Sequence, residues 1–172
     1  MRAISALALI VFVASASAMS FLPILGDDKA NLQLVFNGFW EQGGLADPKE
    51  LITCFDDASA TLSMNTLGNV LAQLAANKIQ QAIQTVQDYS NKLPDEVKKC
   101  AGDDPETDQI QKAYGLDKYT PTQLQAKFLA YVTLHHAAYQ SQINTMNSQF
   151  QKGQYQAVGD GAGKLLKAVL GN

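Results

Sequence analysis

The chain has 172 residues, of which 47% are hydrophobic and 17% charged, and its formal net charge is −3 at pH 7. Its only arginine is Arg2. This composition argues against a nucleic-acid-binding protein, because neutralisation of phosphates by Lys and Arg dominates that affinity. The chain also lacks the basic cluster that holds a protein on an anionic membrane.

Residues 1–18 have the pattern of a secretory signal peptide. Arg2 supplies the charged start, residues 3–14 are an apolar run, and Ala16-Ser17-Ala18 is a cleavage site of small residues. The apolar run is shorter than the roughly 20 residues that span a bilayer, which favours cleavage over an uncleaved anchor. We therefore expect a secreted protein with no transmembrane segment in the mature chain and a single domain over residues 19–172.

Cys54 and Cys100 are the only two cysteines. In a secreted chain two cysteines favour one intramolecular disulfide, and a free thiol or an interchain bond is the alternative. A loop of this length would gain about 4 kcal/mol of stability from the bond.

Helical periodicity begins near Asp27 or Asp28, either of which can cap a first helix. Gly38 lies inside that helix at a cost of about 1 kcal/mol relative to alanine, which a close helix crossing would explain. Asp47-Pro48-Lys49-Glu50 predicts the start of a second helix, with Asp47 as the N-cap and Pro48 in the first turn. A break is expected at residues 63–65, followed by a third helix that ends at Pro94.

The second half of the chain predicts a short helix around Ile110 and then two longer ones. Thr120-Pro121-Thr122-Gln123 is a capping-box start, and apolar spacing predicts one helix from there to Gln151. The last helix covers residues 155–170, and Gly159 and Gly163 lie on one face of it, which predicts close docking on another helix. No stretch alternates as a strand does. The predicted fold is all-α, an antiparallel bundle of four to five helices with one disulfide.

Candidate catalytic and metal-binding groups are few. His135 and His136 are neighbours, so on a helix they point about 100° apart, and we expect one packed and one exposed ring. Asp104, Glu106 and Asp108 alternate like the first ligands of a calcium loop, but Gln109 stands where that loop needs glycine. There is no nucleophile motif or phosphate-binding loop. The sequence therefore predicts no catalytic residue, no metal ligand and no cofactor.

Aromatic residues recur along the predicted long helix at Phe128, Tyr131, Tyr139 and Phe150. Apolar periodicity mainly reports burial, so a core position is the first interpretation of these rings. The alternative is that they line an apolar cavity between helices, a kind of site that helical bundles can hold.

A resemblance to a known group of proteins rests on Asn37-Gly38-Phe39-Trp40, Cys54, Cys100 and the run from Gly153 to Gly159. The chain resembles the small secreted helical proteins that ciliated protists encode in many copies. The resemblance covers most of the mature chain and implies a secreted helical fold, but no particular activity. A more distant comparison is with saposin-like proteins, which are secreted, helical and lipid-binding but need more than the two cysteines present here.

These observations favour a secreted, non-enzymatic protein that binds an apolar ligand, a lipid or a protein partner. A structural component of a coat or secretory granule is one alternative. An extracellular hydrolase built from dispersed acidic residues and His135 or His136 is another. A convergent cluster of such groups in a concave pocket would distinguish the hydrolase from the other two.

Overall fold

A computed structural model of the protein describes residues 27–171, and the predicted signal peptide lies outside this range. The described residues form helices and 3₁₀ turns without a strand, which confirms the all-α class for this part of the chain. The helices are α1 (Asp28–Gln42), α2 (Asp57–Ala75), α3 (Ile79–Lys92), α4 (Asp95–Asp103), α5 (Pro105–Tyr114), α6 (Pro121–Leu134), α7 (His136–Gln151) and α8 (Tyr155–Leu170). The 3₁₀ turns are Leu51–Cys54 and Leu116–Lys118.

The described range holds eight helices, more than the four to five predicted, because the helix predicted from Pro121 to Gln151 is divided in two and the short segments Asp95–Asp103 and Pro105–Tyr114 are helices of their own. The predicted start at Asp47 is wrong, since the chain makes only the turn Leu51–Cys54 before α2. Helix α2 is instead capped by Asp56, whose carboxylate accepts hydrogen bonds from the backbone N–H and the hydroxyl of Ser59. These two hydrogen bonds lower the pKa of Asp56.

The break expected at residues 63–65 lies further along the chain. Helix α2 continues to Ala75, and the chain turns at Asn77, whose φ of 59° is left-handed. Asparagine tolerates this conformation better than most residues do. Ser63 stays inside the helix because its hydroxyl donates to the carbonyl oxygen of Ser59 at 2.7 Å.

Four helices contact one another in a closed ring. Helix α1 packs on α2, α2 on α7, α7 on α8, and α8 on α1. Helix α3 packs on α2, α4 contacts the turn Leu51–Cys54, and α6 packs on α7 and α8. The core between the helices holds large side chains that are almost fully buried, among them Phe39, Trp40, Tyr139 and Ile143.

The pair α1 and α8 makes the closest approach, and glycine permits it. A Cβ atom added at Gly38 would lie 2.0 Å from the carbonyl oxygen of Gln156. Further along both helices, a Cβ atom at Gly163 would lie 2.5 Å from Cβ of Gln42. The two helices therefore run in the same direction, so this pair departs from the predicted antiparallel order. Their connection spans the rest of the fold, so no short hairpin forces them to be antiparallel.

The disulfide predicted between Cys54 and Cys100 is confirmed, with Cα atoms 5.6 Å apart. It ties the turn Leu51–Cys54 to α4. Within residues 27–171, no helix is long and apolar enough to cross a membrane.

Candidate functional site at the junction of α6 and α7

Helix α6 begins as the sequence predicts. The hydroxyl of Thr120 accepts from the backbone N–H of Gln123, and the side chain of Gln123 accepts in return from the backbone N–H of Thr120. Pro121 occupies the first helical position, where its missing N–H costs nothing. This cap fixes the N-terminal end of α6, which is the end farther from the junction with α7.

The single helix predicted from Pro121 to Gln151 is wrong, because it breaks at His135. That residue has φ −123° and ψ 34°, outside helical values, and separates α6 from α7. The sequence contains neither proline nor glycine between Thr122 and Gln151, the residues that usually mark such a break. Leu134, beside the break, is 76% exposed.

The structure brings together two of the four aromatic residues predicted as possible ligand lining. Phe128 and Tyr139 pack edge to face, with ring centroids 5.8 Å apart across the junction. Both are in the core, with Phe128 3% and Tyr139 0% exposed. Tyr131 and Phe150 are half-buried, and their rings lie against His135 and Tyr155 respectively. The four rings therefore belong to three separate ring pairs and do not form one continuous stripe.

The hydroxyl of Tyr139 is buried and has no hydrogen-bond partner among residues 27–171. Burial raises the pKa of Tyr139 because the phenolate would be poorly solvated. Two other buried tyrosines have partners for their hydroxyls. The Tyr89 hydroxyl lies 2.6 Å from that of Ser63, and the Tyr114 hydroxyl donates to the carbonyl oxygen of Phe39 at 2.8 Å. Most buried polar atoms in folded proteins are paired, so the hydroxyl of the fully buried Tyr139 is an exception.

The two histidines do not form a site. Both His135 and His136 are exposed, so the expected packed ring is not found. The helix break at His135 carries both residues out of the core, and the Tyr131 ring lies against the His135 ring, at 4.9 Å between centroids.

The acidic pattern at Asp104, Glu106 and Asp108 is used within the fold. Asp104 caps α5 by accepting from the backbone N–H of Glu106. The Glu106 carboxylate accepts from three successive backbone N–H groups, those of Lys49, Glu50 and Leu51, at 2.8–3.0 Å. Across residues 27–171, no three His, Cys, Asp or Glu side chains come together as a metal ion would require.

No protein-family model, curated protein or solved structure matches the chain.

Two features of this region, the role of Glu106 and the unpaired hydroxyl of Tyr139, could not be predicted from the sequence. The role of Glu106 depends on backbone groups more than fifty positions away along the chain, for example Lys49 at a separation of 57. The isolation of the Tyr139 hydroxyl is a property of the packed core, since the same residue type is paired at Tyr89 and Tyr114.

Proposed function

We propose that the protein is a secreted, non-enzymatic binding protein that takes up an apolar small molecule or lipid beneath α6. The disulfide supports an oxidising compartment, where such bonds persist. The signal-peptide pattern of residues 1–18 supports the same compartment. The ligand would lie between the inward face of α6 and the helices on which α6 packs, α7 and α8.

The observation that carries this proposal is the slight attachment of α6 to the rest of the fold. Only Leu124, Phe128 and Val132 of its residues are buried, at intervals of four along one face. By comparison, α8 is two residues longer and buries eight residues, whereas α7 buries three but packs on α2 as well as on α8. Among residues 27–171, the side-chain hydrogen bonds of α6 stay within the helix and its cap.

An element held by few buried contacts opens at a lower free energy than the rest of its domain. The break at His135 gives α6 a point about which to move without disturbing α7. Moving α6 outward would expose Phe128 and Val132, together with the Tyr139 ring, to an entering ligand. The gain from burying an apolar ligand, about 25 cal/mol per Å², would offset the cost of this opening.

A second candidate is the docking of a protein partner on the outer side of the junction. One observation favours it, the 76% exposure of Leu134, which is the more exposed of two exposed large apolar side chains in the described range. A single exposed leucine makes a small contact, so the ligand-binding function is the better supported of the two.

Native mass spectrometry of the protein secreted from a eukaryotic host tests the proposal. We expect a monomer with one disulfide whose polypeptide begins at Met19. Titration with dodecanol should add one molecule per chain, and a hundredfold excess over the dissociation constant should stabilise the fold by about 2.7 kcal/mol. A protein that adds no ligand and shows no saturable stabilisation would refute the binding function. Self-association or capture of a defined protein through Leu134 would favour the second candidate.

A further inference from the structure

We infer that the ligand carries a neutral hydrogen-bonding head group, such as an alcohol, and that the hydroxyl of Tyr139 receives it. This inference rests on the proposed binding function and adds the chemical class of the ligand. It starts from two observations. The Tyr139 hydroxyl is fully buried without a partner among residues 27–171, and its ring packs on Phe128 of the loosely held helix α6.

A buried hydroxyl without a partner destabilises the fold relative to a paired one, because it has lost its hydrogen bonds to water and gained none in return. A ligand that supplies a hydrogen-bond partner recovers this cost, whereas a hydrocarbon does not. In the described range, unpaired buried polar atoms also occur in the partly exposed Asp28, Gln140 and Asn147, and in Trp40 and Thr107, the two residues that are as fully buried as Tyr139. Neither belongs to α6 or α7, and Trp40 lies on α1, which is locked against α8 by the close approach at Gly38. Among the three fully buried residues, Tyr139 is therefore the one that lies beside an element that can open.

The charge of the head group follows from the surroundings of Tyr139. Lys127 of α6 is the one charged residue in the two helices α6 and α7, apart from the exposed His136. The ammonium of Lys127 lies 4.9 Å from the centre of the Tyr119 ring, so it is already placed against another group. Helix α2, which packs on α7, has Asp57 as its only charged residue, at its first position.

Helix α8 is the remaining neighbour, and its charges are engaged elsewhere. Asp160 accepts hydrogen bonds from Lys164 and Gln42, and the Lys167 ammonium lies over the Tyr114 ring. A buried carboxylate or ammonium needs an opposite charge, because desolvating it alone is far more costly than desolvating a hydroxyl. The junction offers no such partner within the described residues. The head group that fits is therefore uncharged.

The test uses three probes of equal chain length, dodecane, dodecanol and dodecanoate, in competition with a hydrophobic fluorescent dye. For the unaltered protein we expect dodecanol to bind roughly tenfold more tightly than dodecane, the factor that one buried hydrogen bond provides. Dodecanoate at neutral pH should bind more weakly than dodecanol. Equal affinity for alcohol and alkane, or preference for the carboxylate, would overturn the inference while leaving the binding function intact.

The substitution Tyr139→Phe removes the hydroxyl and keeps the ring. It should abolish the preference for dodecanol over dodecane, with dodecane affinity unchanged. The thermal midpoint of the ligand-free variant should stay the same or rise, because an unpaired buried hydroxyl has been removed. The matched control is Tyr89→Phe, which removes a paired hydroxyl, should lower the midpoint and should leave the alcohol preference intact. A lowered midpoint in Tyr139→Phe, or a retained alcohol preference, would contradict the inference. If no probe binds the unaltered protein, the proposed function itself fails.

Discussion

Gly38 on α1 and Gly159 on α8 allow the backbones of the two helices to come into direct contact. A Cβ atom at Gly38 would lie 2.0 Å from the carbonyl oxygen of Gln156, and one at Gly159 would lie 2.0 Å from the carbonyl oxygen of Val35. No rotation of a side chain can relieve either clash, because the atoms that would collide belong to the backbone. The closed ring of α1, α2, α7 and α8 depends on this contact.

Replacing Gly159 with alanine should therefore destabilise the protein by about 1–3 kcal/mol. The loss should appear even though alanine favours a helix by about 1 kcal/mol over glycine. The matched control is Gly161→Ala in the same helix, where the new Cβ would meet only the flexible side chain of Met146. Denaturant unfolding should show a clear loss for Gly159→Ala and a smaller one, or none, for Gly161→Ala. Equal effects of the two substitutions would mean that the backbone contact is not what matters.

The disulfide should contribute a separate share of stability. Replacing Cys54 and Cys100 together with serine removes a bond between residues 46 positions apart. The chain-entropy relation for such a loop gives a loss of about 4 kcal/mol, with the helical circular dichroism spectrum retained in the folded state. Titration of the native protein with a thiol reagent should detect no free thiol. Two titratable thiols would show that the bond is absent in solution.

Glu106 also stabilises the segment before the turn Leu51–Cys54, through hydrogen bonds rather than a covalent bond. Removing its carboxylate in Glu106→Ala leaves three backbone N–H groups, those of Lys49, Glu50 and Leu51, without their partner. Water can replace part of this interaction at the exposed positions, so we expect a loss of about 1–3 kcal/mol. Asp108→Ala is the control, since Asp108 is an exposed acidic residue of the same helix. If both variants unfold at the same denaturant concentration, the loop does not depend on Glu106.

Buried tyrosines should make the protein sensitive to alkali. Burial raises the pKa of Tyr89 from 10.0 to about 12, partly opposed by its hydrogen bond to Ser63, and burial also raises the pKa values of Tyr114 and Tyr139. The unfolded chain then loses tyrosine protons at a lower pH than the folded one. The free energy of unfolding is therefore unaffected below pH 10 and falls as the pH rises from 10 through the raised values.

Tyr89 alone should account for about 2 kcal/mol of this loss by pH 12, because the loss grows by about 1.4 kcal/mol per pH unit and levels off at the raised pKa. Denaturant unfolding at several alkaline pH values, with tyrosinate absorbance recorded in parallel, measures the effect. The slope should be shallower in Tyr89→Phe. A flat profile to pH 12 would show that these hydroxyls are not buried as described.

Parts of the fold could be predicted because their signals are local. Thr120 and Gln123 stand three positions apart, so their reciprocal capping of α6 is legible in the sequence. Gly38 and Gly163 were predicted at close crossings because glycine inside a helix is costly unless packing compensates for it. The pairing of Cys54 with Cys100 followed from there being two cysteines.

Other parts depend on contacts that no local pattern reports. The break at His135 contains no helix-breaking residue, and it lets α7 pack on α2 and α8 while α6 packs on α8 and back on α7. The motif at Asp47 has the residues of a helix start, but the N–H groups that follow it are bound by Glu106 from another helix. The helical periodicity at Tyr139 is the same whether its side chain lies in the core or contacts a ligand. Only the packed structure shows that its hydroxyl lacks a partner among residues 27–171.

The most direct test of the account is hydrogen–deuterium exchange of α6 with and without dodecanol. In the free protein, the amides of Pro121–Leu134 should exchange faster than those of Tyr155–Leu170, because α6 has three buried residues and α8 has eight. Saturating dodecanol should slow exchange in α6 and around Tyr139 while leaving α3 and α4 unchanged. Exchange in α6 that is as slow as in α8 and unaffected by the alcohol would contradict the proposal that a ligand enters beneath this helix.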